Sequence, residues 1–187
     1  MTRRGALILV VGPSGVGKDS IIAGAAQRLR DEPRVVFARR LITRPAEAGG
    51  EDHIAVSPAE FARRREAGEL MLHWSAHSLD YGLPGELGAA LADGRSVVAN
   101  VSRGVVTEAR ERFAPTVVIA ITASAETLAA RLAERGRESA DDIAARLRRA
   151  AAPVEADVVV GNDGTLDAAV DRFVAVLRQA IDQPASV

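Results

Sequence analysis

Five runs of apolar, mostly β-branched residues recur along the chain and alternate with stretches that have the apolar spacing of helices. The runs are Ala6–Val11, Val35–Ala38, Val97–Val101, Thr116–Thr122 and Val158–Val160. Their apolar residues are consecutive rather than alternating, which is typical of strands that are buried on both faces. The pattern therefore predicts an α/β fold in which helices cover both faces of a five-stranded parallel sheet.

Polar residues mark the predicted helix starts. Ser57-Pro58-Ala59-Glu60 has the form of a capping box with proline at the first helical position, and Gly68 ends that helix. Three more helices are predicted from their caps: Ser124 before Ala125–Arg135, Ser139 with Asp142 before a helix through Leu147, and Asp163-Gly164-Thr165 before Leu166–Ile181.

The segment between the second and third runs is too long for a plain crossover in a compact α/β domain. We therefore expect one domain over residues 1–187, with a small inserted subdomain at about 39–94. A second irregular piece, residues 134–139, joins two predicted helices, and we expect a lid over about 131–146. Both pieces lie where loops can close over a ligand at the carboxyl ends of parallel strands.

A glycine-rich loop, Gly12-Pro13-Ser14-Gly15-Val16-Gly17-Lys18, lies between the first predicted strand and a helix, as a phosphate-binding P-loop does. Its glycines let backbone N–H groups approach an anion, and the helix N-terminus adds partial positive charge. Lys18 is the only lysine among 24 Lys and Arg residues, which indicates a role for a compact ammonium. The usual next residue is a Ser or Thr that reaches Mg²⁺, whereas this chain has Asp19 and then Ser20. The loop predicts phosphate binding, and the alternative is a glycine turn that binds nothing.

The bulk composition excludes several classes of protein. The formal net charge is −1 and aromatic residues make up 3% of the chain, which argues against nucleic-acid binding. No run approaches the roughly 18 apolar residues of a membrane span, and the first run is too short for a signal peptide. The chain has no cysteine, which suits a reducing compartment. A soluble cytoplasmic protein is expected, and its oligomeric state stays open.

Arginines cluster in two places. The predicted lid carries four of them: Arg131, Arg135, Arg137 and Arg146. A closing lid can deliver guanidiniums to the charge that develops in phosphoryl transfer, and the alternative is a solvated helix with interspersed acids. In the insertion, Arg39, Arg40 and Arg44 follow the second predicted strand. They suit a second substrate that carries phosphate, or are ordinary charge at a strand end.

Two further features bear on metal binding. His53, His73 and His77 lie among apolar residues without a zinc-binding pattern, so polar core or substrate contact is expected rather than a metal site. The third predicted strand ends at Asn100 and Ser102, where most P-loop enzymes have an aspartate that helps to hold Mg²⁺. Asp19 is the candidate replacement as metal ligand.

With these residues assembled, the chain resembles the guanylate kinase family over almost its whole length. The matching segments are Gly12–Lys18, Thr43-Arg44-Pro45, Val56–Phe61, Gly68-Glu69-Leu70, Tyr81-Gly82, Arg103-Gly104, Arg131–Gly136, Arg146-Leu147 and Val160–Asp163. The resemblance implies a three-layer P-loop NTPase kinase fold with strand order 2-3-1-4-5, an inserted acceptor-binding subdomain and an arginine lid. It also implies ATP and Mg²⁺ as cofactors.

The resemblance implies three sets of site residues. The catalytic set is Lys18, Arg135 and Arg146. The ATP-binding set is Gly12, Pro13, Ser14, Gly15, Val16, Gly17, Lys18, Asp19, Ser20 and Arg131, with Asp19 facing the metal. The acceptor-binding set is Arg40, Arg44, His53, Tyr81, Arg103 and Arg137.

The chain departs from the family pattern at the acceptor. Leu72 replaces the glutamate that reads the guanine edge, and Arg40 and His53 stand where a serine and a tyrosine hold the acceptor phosphate. These changes, with Gly49-Gly50-Glu51-Asp52-His53, resemble the ribose 1,5-bisphosphate phosphokinase branch of bacterial phosphonate utilisation. That branch uses ATP to phosphorylate the 1-phosphate of a small phosphorylated sugar, which gives 5-phospho-α-D-ribose 1-diphosphate (PRPP).

Two other functions stay open at this point. One is a guanylate kinase or other nucleoside monophosphate kinase, and the other, of a different class, is an inactive guanylate-kinase-like binding module. The intact loop argues against the module. A phosphate acceptor has a second pKa of about 6 and needs no general base. An alcohol acceptor would need one, and Asp80 is the single loose candidate in the insertion.

Overall fold

The central sheet has five parallel strands, and its middle strand leads into the glycine-rich loop. The computed structural model describes residues 4–48, 51–134 and 155–183. The strands of this sheet, in chain order, are β1 (Leu7–Val11), β2 (Val35–Phe37), β7 (Ser96–Asn100), β8 (Thr116–Thr122) and β9 (Val158–Gly161). Their order across the sheet is β2-β7-β1-β8-β9, which is 2-3-1-4-5 when only these five are counted. The predicted fold class and strand order are confirmed.

Alternate residues of β1 face two separate cores, which explains the continuous apolar run. Ile8 and Val10 belong to a cluster that includes Phe173 of the last helix. Leu7 and Leu9 belong to a second cluster on the opposite face. All residues of β1 are fully buried, as expected for the middle strand of a three-layer fold.

Six α-helices lie within the described residues. They are α1 (Lys18–Arg28), α2 (Pro58–Glu66), α3 (Leu87–Ala92), α4 (Val106–Arg112), α5 (Ala125–Glu134) and α6 (Leu166–Asp182), with short 3₁₀ turns at Ala46–Ala48 and Arg103–Val105. None of these helices is long and apolar enough to cross a membrane.

A second, smaller sheet lies within the range predicted as an insertion. Its strands are β3 (Leu41–Ile42), β4 (Ile54–Ala55), β5 (Leu70–Ala76) and β6 (Leu79–Pro84), in the order β4-β3-β6-β5. Helix α2 packs Phe61 against this sheet in a cluster with Leu41 and Leu70. The β5–β6 hairpin turns through His77 and Ser78, both with positive φ (53° and 60°). The small sheet therefore has its own core and projects one hairpin.

The predicted helix caps are largely as expected. The Ser57 side chain accepts a hydrogen bond from the Glu60 backbone N–H at 3.1 Å, and Thr165 caps α6 in the same way. The reciprocal half of the predicted capping box is missing, because the Glu60 carboxylate binds Arg63 and Arg64 instead. The helix expected after Ser139 lies outside the described residues.

Gly24 gives a test of how closely α1 and α6 pack. A Cβ at Gly24 would lie 2.8 Å from Val170 Cγ2, and valine cannot move aside as a long side chain can. Gly24→Ala should therefore lower the free energy of unfolding, although alanine favours helix by about 1 kcal/mol. In a Val170→Ala background the same change should become stabilising, which denaturant titration of the double-mutant cycle measures.

Gly88 of α3 supplies the matched control, since no other described residue outside its own helix backbone and chain neighbours comes within 4 Å of its would-be Cβ. Gly88→Ala should stabilise the protein by up to about 1 kcal/mol. Equal effects of Gly24→Ala with and without Val170 would contradict the close approach of the two helices.

Candidate active site

The loop between β1 and α1 has a backbone that only glycine can adopt at several positions. Gly12, Gly15 and Gly17 have φ values of 151°, 86° and 94°. A Cβ at Gly12 would lie 2.4 Å from the Ile121 carbonyl oxygen, so space as well as conformation requires glycine there. The Asn162 side-chain amide holds the loop by donating to the Val16 carbonyl oxygen at 2.8 Å. The loop is therefore rigid before any ligand binds.

The Lys18 ammonium lies inside this loop. Its Nζ donates to the carbonyl oxygens of Gly12 at 2.8 Å and Pro13 at 3.0 Å. Burial, together with the nearby guanidiniums of Arg40 and Arg103, lowers the pKa of Lys18 from 10.5 to about 8, and the negative charge of Asp19 opposes this lowering. An anion in the loop would favour the charged ammonium, so the site is prepared for phosphate.

A cavity of about 470 Å³ separates the loop from the small sheet. On the loop side it is lined by Gly12, Pro13, Ser14, Gly15, Gly17, Lys18, Asp19 and Ser20, and at the end of β7 by Asn100, Val101, Ser102 and Arg103. On the side of the small sheet it is lined by Arg40, Arg44, Glu51, Trp74, His77 and Tyr81. The cavity thus joins the phosphate loop to a second wall that carries two guanidiniums and one carboxylate.

Asp19 lies against the end of β7. The Asn100 amide Nδ2 donates to Asp19 Oδ1 at 2.7 Å. The sequence led us to expect a carboxylate from Asp19 in place of one at the strand end, and the structure puts the two side chains in direct contact. The negative charge is thus present at this edge of the cavity, carried by the helix instead of the strand.

Arg40 is held by a carboxylate and two aromatic rings. Its Nε donates to Glu51 Oε2 at 2.9 Å, and its Nη2 donates to the other oxygen of the same carboxylate. Its guanidinium lies 5.0 Å from the Tyr81 ring centroid and 5.9 Å from that of Trp74. The two rings stack with 5.6 Å between centroids and an interplanar angle of 5°. Arg40 is therefore a fixed, charge-compensated part of the wall.

Arg44 differs from Arg40. Its Nε and Nη2 atoms are buried and have no hydrogen-bond partner among the described residues. Buried guanidinium N–H groups without partners are costly, by about 1–3 kcal/mol each or more, unless a ligand or water accepts from them. Arg44 also lines the cavity, so its positive charge is available to an anion bound there.

Three other predicted site residues do not line the cavity. His53 is buried, with Nδ1 3.0 Å from the Glu51 carbonyl oxygen and Nε2 3.1 Å from that of Arg44, so it braces the segment that carries both residues. Val16 is fully buried and only its main chain could contact a nucleotide. Arg131 donates to the carbonyl oxygens of Asn162 and Val16, behind the loop.

The remaining lid residues, Arg135, Arg137 and Arg146, lie outside the described residues. In contrast, six cavity residues are absent from the predicted site sets: Glu51, Trp74, His77, Asn100, Val101 and Ser102. Glu51 lies in the acidic segment before His53, where this chain departs from the guanylate kinase pattern. That departure was the one sequence feature that could have indicated a role for Glu51. Trp74 and His77 face the cavity because the β5–β6 hairpin leans over it, which no local pattern indicates.

The fold and this site together define a P-loop kinase. The family model described as guanylate kinase matches residues 4–180, so the chain belongs to the guanylate kinase family. A guanylate kinase structure from Anaplasma phagocytophilum aligns with a TM-score of 0.65 at 24% identity, over 94% of this chain and 86% of that one. At this identity the structural likeness supports the fold alone.

Relatives of higher identity carry a more specific name. The ribose 1,5-bisphosphate phosphokinase PhnN of Acidiphilium cryptum is 53% identical over 98% of both chains. The protein of the same name from Rhodopseudomonas palustris is 46% identical over 96% of this chain and 92% of its own. A bifunctional ribose 1,5-bisphosphokinase-thymidine phosphorylase of Cupriavidus necator is 49% identical over all of this chain, which spans 32% of that longer protein.

The lowered pKa of Lys18 predicts proton uptake on nucleotide binding. In the free protein Lys18 loses its proton as the pH rises through about 8, and bound phosphates should raise that pKa again. ATP binding at pH 8.5 should therefore take up about 0.7 proton, while binding at pH 7 should take up almost none. Calorimetric titrations in two buffers of different ionisation enthalpy measure this difference. Equal uptake at both pH values would contradict the assignment.

Proposed function

We propose that this chain transfers the γ-phosphoryl group of ATP to the 1-phosphate of ribose 1,5-bisphosphate, which gives PRPP. The observation that carries the proposal is the cavity itself, which joins a P-loop lysine to the guanidinium of Arg44, two of whose nitrogens have no hydrogen-bond partner among the described residues. The names of relatives at 46–53% identity support the same acceptor. A role in phosphonate utilisation follows from the family resemblance.

The structure argues against guanine as the group that the acceptor site reads. Leu72 stands where the guanylate kinase pattern has a carboxylate, and its side chain is fully buried in the core cluster beneath β5. It therefore neither faces the cavity nor offers a hydrogen-bond acceptor. A guanine edge buried without partners would lose about 1–3 kcal/mol per group.

The carboxylates among the described residues suit a phosphate acceptor better than an alcohol acceptor, because an alcohol would need one of them as a general base. Asp80, the candidate base for an alcohol acceptor, does not line the cavity, and its carboxylate accepts from the Ser75 hydroxyl at 2.5 Å. The carboxylates that do line it are Asp19 and Glu51, and both are hydrogen-bonded. A phosphate acceptor is already a deprotonated nucleophile near neutral pH, so it needs neither as a base.

Catalysis by these residues consists of positioning and charge neutralisation. Lys18 can donate its third N–H to phosphate oxygens at the centre of the cavity while the loop N–H groups hold the donor. Arg44, which lines the cavity, would orient the acceptor through its guanidinium. Two phosphates brought together in this way need little more than alignment and compensation of their charge.

The residues beside the loop fit Mg²⁺. Asp19 offers a carboxylate, Ser20 a hydroxyl and Asn100 an amide oxygen, which are the hard oxygen ligands that this ion prefers. The described residues contain no group of three His, Cys, Asp or Glu side chains around a metal position. This agrees with an ion held by one carboxylate, waters and substrate phosphates, where it would neutralise phosphate charge.

For the acceptor, Arg44→Ala should raise the KM for ribose 1,5-bisphosphate by about 10- to 100-fold, since a charge-assisted hydrogen bond contributes about 1.5–3 kcal/mol. The KM for ATP should stay unchanged. An ADP-release assay with ribose 1,5-bisphosphate or GMP measures both constants, and GMP should be a poor acceptor.

Arg63→Ala is the matched control for this assay, because Arg63 lies on the outer face of α2 and pairs with Glu60 and Glu69. It should leave both KM values as they are. Efficient GMP phosphorylation by the unmodified protein would contradict the proposed function, and equal losses for ATP and the acceptor in Arg44→Ala would contradict the role of Arg44.

For the metal, Asp19→Asn should weaken MgATP binding and strengthen the binding of metal-free ATP, because the carboxylate attracts the ion and repels bare phosphates. The ratio of the two affinities should fall by about tenfold or more, equivalent to ~1.4 kcal/mol. Asp19→Asn combined with Asn100→Asp should recover part of this ratio, since it moves the charge to the strand end. Calorimetric titration with Mg²⁺ or with EDTA gives both affinities.

Asp167→Asn is the control, as Asp167 is likewise an acidic residue in the first turn of a helix. If Asp19 only stabilises the helix dipole, Asp19→Asn and Asp167→Asn will both slightly lower thermal stability, and neither will change the affinity ratio. That result would contradict metal binding by Asp19.

A further inference from the structure

Glu51 is the carboxylate in the acceptor half of the cavity wall. Its side chain is 17% exposed and that of its partner Arg40 is 10% exposed. Both oxygens of Glu51 accept from Arg40, in a side-on pair. The negative charge of Glu51 also raises the pKa of Lys18, against the lowering caused by burial. The pair therefore lines the cavity within electrostatic range of the phosphate loop.

The pairing leaves Glu51 with unused capacity to accept hydrogen bonds. A carboxylate has about four lone-pair sites, and Arg40 occupies two of them. Because Glu51 lines the cavity, a ligand can approach the others. A phosphate has no proton to donate near neutral pH and would be repelled by a carboxylate. A hydroxyl group is the part of a sugar phosphate that suits Glu51.

The two arginines of this wall thus suit different parts of one ligand. Arg44 has buried N–H groups that find no partner in the part of the chain that the structure describes, and its uncompensated charge fits a phosphate. The charge of Arg40 is already compensated by Glu51, so the pair as a whole is neutral and attracts a phosphate weakly. A neutral pair that presents carboxylate oxygens is suited to the sugar between the phosphates.

We propose that Glu51 accepts hydrogen bonds from the ring hydroxyls of the acceptor and selects ribose over 2-deoxyribose. The inference rests on the proposed function, because it assumes a sugar bisphosphate in the cavity. Carboxylates recognise ribose hydroxyls in this way at dinucleotide sites. A site built around such a bond discriminates against a ligand that lacks the hydroxyl, since the remaining lone pairs of the carboxylate are then desolvated without a donor.

The competing role for Glu51 is positional. In that case it serves only as the counter-ion that keeps Arg40 over the Tyr81 and Trp74 rings. Loss of the carboxylate would then weaken ribose and 2-deoxyribose acceptors by the same factor. The ratio between the two sugars, rather than the affinity for either, separates the two roles.

The sole tryptophan of the chain is a natural reporter for this experiment, since Trp74 lines the cavity beside Arg40. Its fluorescence gives the Kd of ribose 1,5-bisphosphate and of 2-deoxyribose 1,5-bisphosphate, and ADP release gives kcat/KM for each. The unmodified protein should prefer ribose by about 10-fold or more in both quantities. Glu51→Gln keeps the shape of the side chain and should reduce the preference to less than about threefold.

Two further variants guard against misfolding and indirect effects. Arg40→Gln with Glu51→Gln removes both charges together, so no buried charge is left alone, and it should lose the ribose preference in the same way. Arg44→Lys should weaken both sugars through their phosphate and keep the preference between them.

Each outcome bears on the inference. Loss of the ribose preference in both Glu51 variants, with retention in Arg44→Lys, supports it. Equal weakening of the two sugars in Glu51→Gln overturns it in favour of the positional role. Equal use of the two sugars by the unmodified protein also overturns it, while the proposed function stands. If the unmodified protein neither binds nor phosphorylates either bisphosphate, the proposed function fails and this inference fails with it.

Discussion

The hydrogen bonds from the Lys18 ammonium to the Gly12 and Pro13 carbonyl oxygens are the interaction on which the rest of the site depends. They close the loop around the cation, while the glycine backbone turns the loop N–H groups outward. The ammonium has three donors, so one remains for a ligand. Burial makes its charge less favourable in the free protein than in water, as the pKa of about 8 indicates. A bound phosphate would offset the cost of this buried charge at the Lys18 Nζ atom, and the parallel sheet fixes the position of that atom.

The wall opposite the loop explains how one fold can accept a sugar phosphate in place of a nucleotide. Leu72 turns into the core, so the carboxylate that reads guanine has no counterpart there. Arg40, Glu51 and the stacked rings of Trp74 and Tyr81 instead form a rigid, hydrogen-bonding surface. Arg44 keeps buried N–H groups without partners within the described structure, which suits a phosphate. Under the proposed roles of Arg44 and Glu51, the acceptor is recognised by charge at one point and by a carboxylate at another.

The sequence was sufficient for the sheet, its strand order and the phosphate loop, because each depends on local apolar runs, glycine spacing and chain connectivity. The sequence also pointed to Asp19, because it lacks the usual carboxylate at the strand end and has an additional one directly after the lysine. It did not show that Glu51 compensates Arg40 or that Trp74 and His77 face the cavity. Those contacts arise from the packing of the small sheet against the loop, which involves residues far apart in the chain. His53 shows the converse: a polar residue at a family ligand position braces backbone carbonyls instead.

The central claim is that the acceptor nucleophile is a phosphate and that the cavity needs no general base. The most direct measurement is ³¹P NMR of ribose 1,5-bisphosphate incubated with ATP, Mg²⁺ and the protein. The account predicts that the 1-phosphate monoester signal is replaced by a pair of coupled diphosphate signals, while the 5-phosphate signal persists as a monoester. A third monoester signal on the sugar would show transfer to a hydroxyl group and would contradict the account, as would an unchanged spectrum.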